Sequence, residues 1–473
     1  MKGADHQARG AASRSLTDTR SAVFWLDRTD PPQPADTLNG RTTADLVVVG
    51  AGFTGLWTAL MAAEADPGRR ITVIEAETAA FGASGRNGGF CEASLTHGLA
   101  NGLAHWPDEI DTLLRLGDEN LDALMDTIDR HAIDCDAERT GTMDIAVEPW
   151  QVDELNGLAE ASSRLGVDHA LLDTQAIRAE VDSPTYLAGL WQRTGAAMVD
   201  PARLAWGLQR AARSLGVVFH ENSPVRSIEK SGTGVELHTD GGRVKADRAV
   251  VATNAYRKPL PKIRRHVVPV YDHVLMTEPL SADQWSAIGW ENRQGLADAG
   301  NQFHYYRRTA DGRILWGGYD VLYHFGGRVG PSVEHHAPTT RRLAENFFHT
   351  FPQAEGLRFT HRWSGPIAST TRFTCAWGTT HAGRVSWAAG YTGLGVGASR
   401  FGARVALDLA DGIRSERTQL QMVRKRPFPF PPEPARWLAV QATRAAIKRA
   451  DRREGREGLW LRTLGRFGIG LNS

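Results

Sequence analysis

The sequence predicts a mixed α/β protein organised around a parallel sheet, and three observations carry that prediction. The apolar run Leu46, Val47, Val48 and Val49 ends in a glycine-rich turn and is followed by a helical stretch with apolar Leu56, Leu60 and Met61. A short unbroken apolar run bounded by turn residues is the pattern of a strand buried on both faces. After the breaker Asp66-Pro67-Gly68 comes a second such run at 71–74, which completes a βαβ pattern. Far along the chain, a strand at 386–389 runs into a second glycine cluster and a helix from about 399 to 411.

Between these anchors the elements read in order. Residues 1–44 are polar and proline-bearing, with one apolar patch at Val23, Phe24, Trp25 and Leu26. They read as an extended leader whose patch docks on the body. Residues 76–98 form a glycine-rich loop, 107–132 a helix, 141–147 a strand and 151–180 helices with turns. An amphipathic helix at 201–216 leads to a strand at 217–219. Strands follow at 225–229, 235–239 and 249–253, with a hairpin at Asp240-Gly241-Gly242. Residues 265–320 are strand-rich, and a helix is expected at 339–350. The tail after 420 carries a proline cluster and then a basic helical segment.

Composition narrows the function classes. At 473 residues the chain is long enough for two or three domains. A formal net charge of +1 gives no global pull toward nucleic acid. The 16 histidines show no HxH, HExxH or CxxC spacing, so no metal site is expected. Three cysteines suit a reducing compartment, and the first twenty residues lack a signal-peptide core. With no run of about 18 apolar residues to span a bilayer, the expected location is the cytoplasm.

The strongest chemical signal is Gly50-Ala51-Gly52-Phe53-Thr54-Gly55, a GxGxxG between a strand and a helix. The first glycine permits a tight turn, the second lets the backbone approach a pyrophosphate, and the third lets helix and strand pack closely. The helix N-terminus offers free N–H groups to phosphate. Glu75, at the end of the second strand, stands where a carboxylate accepts hydrogen bonds from ribose hydroxyls. The loop Gly82-Ala83-Ser84-Gly85-Arg86-Asn87-Gly88-Gly89 favours a flat ring system: small residues admit it, and Arg86 and Asn87 supply polar contacts. The late cluster from Ala388 to Gly397 ends at a helix N-terminus suited to negative charge.

On these segments the chain resembles the D-amino-acid-oxidase-like superfamily of FAD-dependent oxidoreductases, in the branch of γ-glutamylputrescine oxidase and other bacterial amine oxidases. Asp200-Pro201-Ala202-Arg203-Leu204, the stretch 246–254, Asp311 to Gly318 and Trp363-Ser364-Gly365-Pro366 add to the likeness. The resemblance implies a Rossmann-like, glutathione-reductase-like FAD-binding domain from 45–140, 200–260 and 365–415. An antiparallel substrate domain from 141–199 and 261–364 is inserted in it, with extensions at 1–44 and 416–473. It carries cofactor contact to Gly50, Gly52, Phe53, Thr54, Gly55, Glu75, Ala76, Ser84, Arg86, Asn87 and Gly88. It carries the same role to Val225, Thr253, Asn254, Gly365, Gly390, Gly393, Leu394, Gly395 and Val396. The family often has glycine where Asn254 stands.

Departures from the family matter too. Glycine stands at 365, where sarcosine-type oxidases attach flavin through cysteine, and no histidine occurs between Phe81 and Glu92. FAD is therefore expected to be noncovalent. The oxygen-activating lysine of those enzymes is replaced by Leu315 or Trp316, and their carboxylate-binding lysine is absent near Gly397. Arg307, Arg308 and Arg362 are alternatives for holding an acid group. Tyr306, Trp316, His273 and Tyr391, together with Tyr305, are the candidate pocket residues. The implied reaction oxidises the C–N bond of a small amine or amino acid by hydride transfer to flavin N5. The imine then hydrolyses, and O2 is the expected acceptor, giving H2O2. The alternatives are a dehydrogenase that passes electrons to a quinone or protein carrier, and a non-catalytic flavin scaffold. The basic tail, with Arg444, Lys448, Arg449, Arg452, Arg453 and Arg456 beside Trp437, Leu438 and Trp460, motivates the first by offering a surface for a membrane or protein partner. A flavin monooxygenase fits poorly, because Gly390-Tyr391 replaces its late Gly-Asp pair.

Overall fold

The two apolar runs form the centre of a largely parallel sheet in the computed structural model, which describes residues 2–256 and 259–469. Strand Gly40–Val49 lies between Ile71–Ile74 and Gly242–Val251, and Val218–His220 pairs with the far side of Ile71–Ile74, all in parallel. The outer edge of Gly242–Val251 is shared. Its first half pairs with the hairpin strand Gly234–His238, and its second half runs parallel to Val385–Ala389. Alternate residues point to opposite faces, and both faces are covered. Leu46, Val48, Val73 and Val250 pack under helices Phe53–Ala65, Pro201–Ser214 and Gly395–Asp411. Val47, Val49, Ile74 and Val251 pack in a second core on the other side. Burial on both faces is why these strands read as unbroken apolar runs.

A nine-stranded sheet forms the second layer. Its centre is antiparallel: Phe359–Ser369, Val268–Thr277, Ile314–Gly318, His304–Arg308 and Gly295–Asp298, in that order. Thr142–Ala146, Ala188–Gln192 and Ala170–Leu172 extend it, the first parallel to Gly295–Asp298. One face packs on helix Ala337–Thr350. The other faces the parallel sheet across a cavity.

Several elements differ from expectation. The leader is not extended at its start, because Lys2–Ser15 is a helix packed on Ala337–Thr350. Ala8, Ala11 and Ala12 make a narrow buried stripe, too small in side-chain volume to register as an amphipathic pattern. Downstream, Arg20–Ser21 adds an edge strand beside Phe359–Ser369. Trp25 is 3% exposed and donates its indole N–H to the Asn87 carbonyl at 2.9 Å. Arg28 pairs with the buried carboxylate of Asp200. The loop at 76–98 contains a short strand, Phe90–Glu92, paired with Ala196–Met198. The eleven-residue strand Phe359–Ser369 was not anticipated, and it runs across residue 365. Helix Gly395–Asp411 starts four residues early, since Gly395 and Gly397 weaken the sequence signal for its first turn.

Among the described residues no helix is long and apolar enough to cross a membrane. Cys91, Cys135 and Cys375 are buried free thiols.

Candidate active site

The cavity between the two sheets measures about 1880 Å³, well above the roughly 300–1,000 Å³ usual for one small-molecule site. That is room for a dinucleotide and a substrate together. The glycine turn forms one end. Gly50 has φ +105°, and a Cβ there would lie 2.9 Å from the Ala252 carbonyl, where two parallel strands end side by side. Gly52 is the N-cap of helix Phe53–Ala65 and brings no capping side chain of its own. The Phe53 amide donates to Ser84 Oγ at 2.8 Å. Gly55 does not line the cavity; a Cβ on it would sit 1.8 Å from the Gly50 carbonyl oxygen, so it serves helix–strand packing.

Glu75 lines the cavity beside Ala76 and Val225. Its carboxylate accepts from the amides of Ala51 at 2.6 Å and Glu77 at 2.9 Å. Burial raises its pKa, against the pull of those amides. An uncapped helix end, a side-chain-free cradle and a carboxylate at the neighbouring strand end form a donor and acceptor set that suits a dinucleotide.

The loop after it is held by protein. Arg86 pairs with Glu334 at 3.0 Å and donates to the carbonyls of Phe81 at 3.0 Å and Ser364 at 3.1 Å. The Asn87 amide nitrogen donates to the carbonyls of Ala83 and Ser84, and its oxygen accepts from Gly89. Both residues line the cavity, yet their polar groups are committed to shaping the loop. Gly365, on the adjacent strand, leaves space over the Arg86 stem; a Cβ would approach it to 3.3 Å. Gly88 lets the Tyr305 ring close in, with 2.9 Å from a Cβ built there.

The late cluster forms the third wall. Thr253, Asn254, Tyr391, Gly393, Leu394, Gly395 and Val396 line it. Asn254 has φ +46° and accepts a hydrogen bond from the Gly390 amide at 2.9 Å. A left-handed backbone at 254 accounts for the glycine that the family resemblance led us to expect, and asparagine tolerates it. Gly390, itself at φ +91°, is set back from the cavity, with Thr370 Cγ2 2.3 Å from where its Cβ would stand. Thr54 donates to the Tyr391 hydroxyl at 2.8 Å, tying helix Phe53–Ala65 to the turn before helix Gly395–Asp411.

The pocket candidates divide by strand parity. Tyr305 faces the cavity and donates to Asp272 at 2.5 Å. Tyr306, its neighbour, faces the other way, bonding Tyr186 at 2.8 Å and Asp298 at 3.0 Å. Trp316 stacks on His304 at 4.5 Å between ring centres, in the same core. His273 lies between cavity-facing Asp272 and Val274, so its ring turns away toward His336. Tyr306, Trp316 and His273 are therefore corrected from pocket lining to the far face of the roof sheet, as the period of two requires. Tyr391 stays in the lining. Arg307 donates to the Val199 carbonyl at 2.7 Å, Arg308 to the Trp290 carbonyl at 3.1 Å and Arg362 to Ser21 at 2.9 Å; none lines the cavity. The basic tail folds onto the body. Helix Ala435–Asp451 packs beside the roof sheet, where Lys448 meets Asp320 at 2.9 Å and Asp451 accepts from Asn301 at 2.8 Å. Thr443, Arg444, Ile447 and Trp460 wall the cavity.

Sequence reasoning missed three acids here. Glu92, Asp144 and Asp272 all face the cavity. Burial pushes Glu92 up to about 7, and Asp144 and Asp272 up to about 6. A carboxylate inside an otherwise apolar strand, as in Thr-Met-Asp-Ile-Ala at 142–146, was the available signal. Asp272 carries a testable pH dependence. Its rise from 3.8 to about 6 is worth ~3 kcal/mol. The folded state holds this proton more tightly than the unfolded state. The stability is therefore fully present below about pH 4 and is lost as pH rises through about 6. Urea unfolding should find Asp272→Asn gaining ~3 kcal/mol on the parent between about pH 4 and pH 7; a constant difference would refute the assignment.

Comparison with known proteins gives a consistent picture. The family profile described as FAD dependent oxidoreductase (DAO) matches residues 45–409. Gamma-glutamylputrescine oxidoreductase of Escherichia coli is 33% identical over 405 residues, covering 84% of this chain and 90% of that protein. A probable oxidoreductase OrdL of Haemophilus influenzae is 30% identical over 77% of this chain and 82% of its own length. Among solved structures, glycine oxidase from Geobacillus kaustophilus superposes with TM-score 0.67 at 20% identity, over 79% of this chain and 96% of that one. L-proline dehydrogenase from P. horikoshii gives 0.66 at 19%, over 80% and 96%. At those identities the structural likeness concerns the fold.

Proposed function

Because the chain belongs to the DAO family of FAD-dependent oxidoreductases, we propose that it oxidises the C–N bond of a small amine or amino acid, with noncovalent FAD and with O2 as acceptor. The imine product then hydrolyses to a carbonyl compound. The observation that carries this reading is the meeting of three distant segments, around Gly52, Asn87 and Gly393, on one cavity. Two relatives by sequence, gamma-glutamylputrescine oxidoreductase of Escherichia coli and, at 25% identity over 305 residues, glycine oxidase of Geobacillus kaustophilus, support the substrate class.

In this reading the FAD domain comprises 45–140, 200–260 and 365–415, and the roof comes from 141–199 and 261–364. Bound FAD supplies the hydride acceptor. Gly50, Gly52 and the first turn of helix Phe53–Ala65 would hold the pyrophosphate, Glu75 the ribose, and Val225 the adenine edge. The N-terminus of helix Gly395–Asp411, which lines the cavity, would favour negative charge developing on a bound flavin. Val270, Val274 and Phe90 exclude water, while Asp272 fixes the Tyr305 hydroxyl over the cavity. An apolar wall favours the neutral amine, whose lone pair assists loss of the hydride. No cysteine lines the cavity among the described residues, which supports noncovalent attachment. Denaturation should release all flavin into solution; flavin that stays with the precipitated chain would overturn that part.

The test of function is an anaerobic panel of amines and amino acids, followed by admission of air. Bleaching of the flavin and then stoichiometric peroxide is the expected result. Bleaching without peroxide would make the protein a dehydrogenase, and no bleaching across the panel would remove the amine-oxidation reading.

A further inference from the structure

The cavity has an uneven charge ledger. Its cationic walls are largely engaged elsewhere: Arg86 with Glu334, Arg139 with Asp122 and Arg226 with Asp240. Arg436 and Arg444 stand at the end formed by the C-terminal helices, where Arg436 donates to the Pro431 carbonyl and Arg444 to Gln441. Glu92 and Asp144 are in the opposite condition. Among the described residues neither carboxylate has a hydrogen-bond or ion-pair partner. Both side chains are half-buried and open onto the cavity.

Their placement is built by the fold. Glu92 ends strand Phe90–Glu92, opposite Ala196. The first turn of helix Gly395–Asp411 lies directly behind it, since a Cβ on Gly397 would sit 2.1 Å from the Glu92 carbonyl oxygen. Asp144 comes from the roof, between Leu190 and Ala297 on its two neighbouring strands. The two acids thus come from different layers, and after burial the charge of Asp144 is the second cause that raises the Glu92 pKa. Two unpaired, half-buried carboxylates facing one cavity carry a desolvation cost in the free protein. A cation between them offsets that cost, and an alkylammonium fits the donor requirement of both.

This inference rests on the amine-oxidation reading and deepens it. We propose that Glu92 and Asp144 form a subsite for a second ammonium group, so that the preferred substrates are diamines or amines with a distal cationic nitrogen. The nitrogen that reacts must be neutral, whereas the one held here stays charged. The two carboxylates therefore serve selection between amines rather than the oxidation itself.

The experiment compares a four-carbon α,ω-diamine with n-butylamine on the FAD-loaded protein, reduced with dithionite so that binding is measured without turnover. Calorimetry should find the diamine bound at least about tenfold more tightly, with the preference shrinking as salt is raised. In Glu92→Gln and in Asp144→Asn the ratio of the two affinities should fall toward one, in protein that keeps its flavin. Equal affinity for the two amines in the parent protein would overturn the subsite without any variant. So would variants that weaken both amines alike, which would put Glu92 or Asp144 at the reacting nitrogen. A retained diamine preference with no bleaching by either amine under oxidising conditions would sink the amine-oxidation reading and leave the subsite standing.

Discussion

Replacing Gly52 with valine yields a folded protein that no longer retains flavin. Gly52 has φ −82° and ψ −179°, extended backbone that any residue adopts, so the change introduces no backbone strain. Its added Cβ meets only Ser84 Oγ, at 2.9 Å, and that hydroxyl can rotate away. The cost falls on the ligand instead. Valine methyl groups fill the space above the first turn of helix Phe53–Ala65, where the phosphates need bare amides. A loss of FAD affinity of about 100-fold or more, ~3 kcal/mol, is expected. Flavin absorbance of the purified protein reads the loss, and far-UV circular dichroism verifies the fold. A yellow, fully loaded variant would show that the phosphates sit elsewhere. Gly55 is the wrong position for this test, because its Cβ would collide with the Gly50 carbonyl and disturb the fold directly.

Arg86→Leu should be among the most damaging single changes to stability, costing ~3–5 kcal/mol. Its guanidinium is buried and joins three chain segments: Glu334, the Ser364 carbonyl and the Phe81 carbonyl. Leucine replaces the stem but leaves Glu334 and two carbonyls without their donor. The loop at 82–89 loses its tie to strand Phe359–Ser369, so flavin retention falls together with stability. Urea unfolding with and without added FAD separates the two effects. If stability stays near that of the parent while only flavin is lost, Arg86 contacts the cofactor rather than the protein.

The sequence was most legible where spacing is local. A strand, a GxGxxG turn and a helix are contiguous, and each glycine's duty follows from geometry within six residues. The late cluster and the loop at 82–89 could also be read, since small residues mark close approach. Parity was not legible. Tyr305 and Tyr306 are adjacent and chemically alike, and only the register of His304–Arg308 against its neighbours decides which ring meets the cavity. Arg86 and Asn87 were placed at the site, but Asn87 spends its amide on its own loop and Arg86 reaches Ser364 and Glu334, distant partners that no local pattern announces. Glu92 and Asp144 went unnoticed because an isolated acid in a strand resembles a solvent-facing position until the second sheet is seen above it. The leader helix escaped for a different reason: alanines carry high helix propensity but little hydrophobic signal.

The leader's attachments also separate ancestry from architecture. The recognisable family span opens at residue 45, yet the body borrows from residues before it. A chain begun at 45 would keep all its nucleotide-facing groups. It would also lack the indole that seats the Asn87 carbonyl, the edge strand beside Arg362 and the guanidinium that neutralises Asp200. An interior acid stripped of its counter-charge and an uncovered hydrophobic hollow would then sit directly behind the loop at 82–89. Homology therefore marks out a shorter stretch than the one that can stand alone.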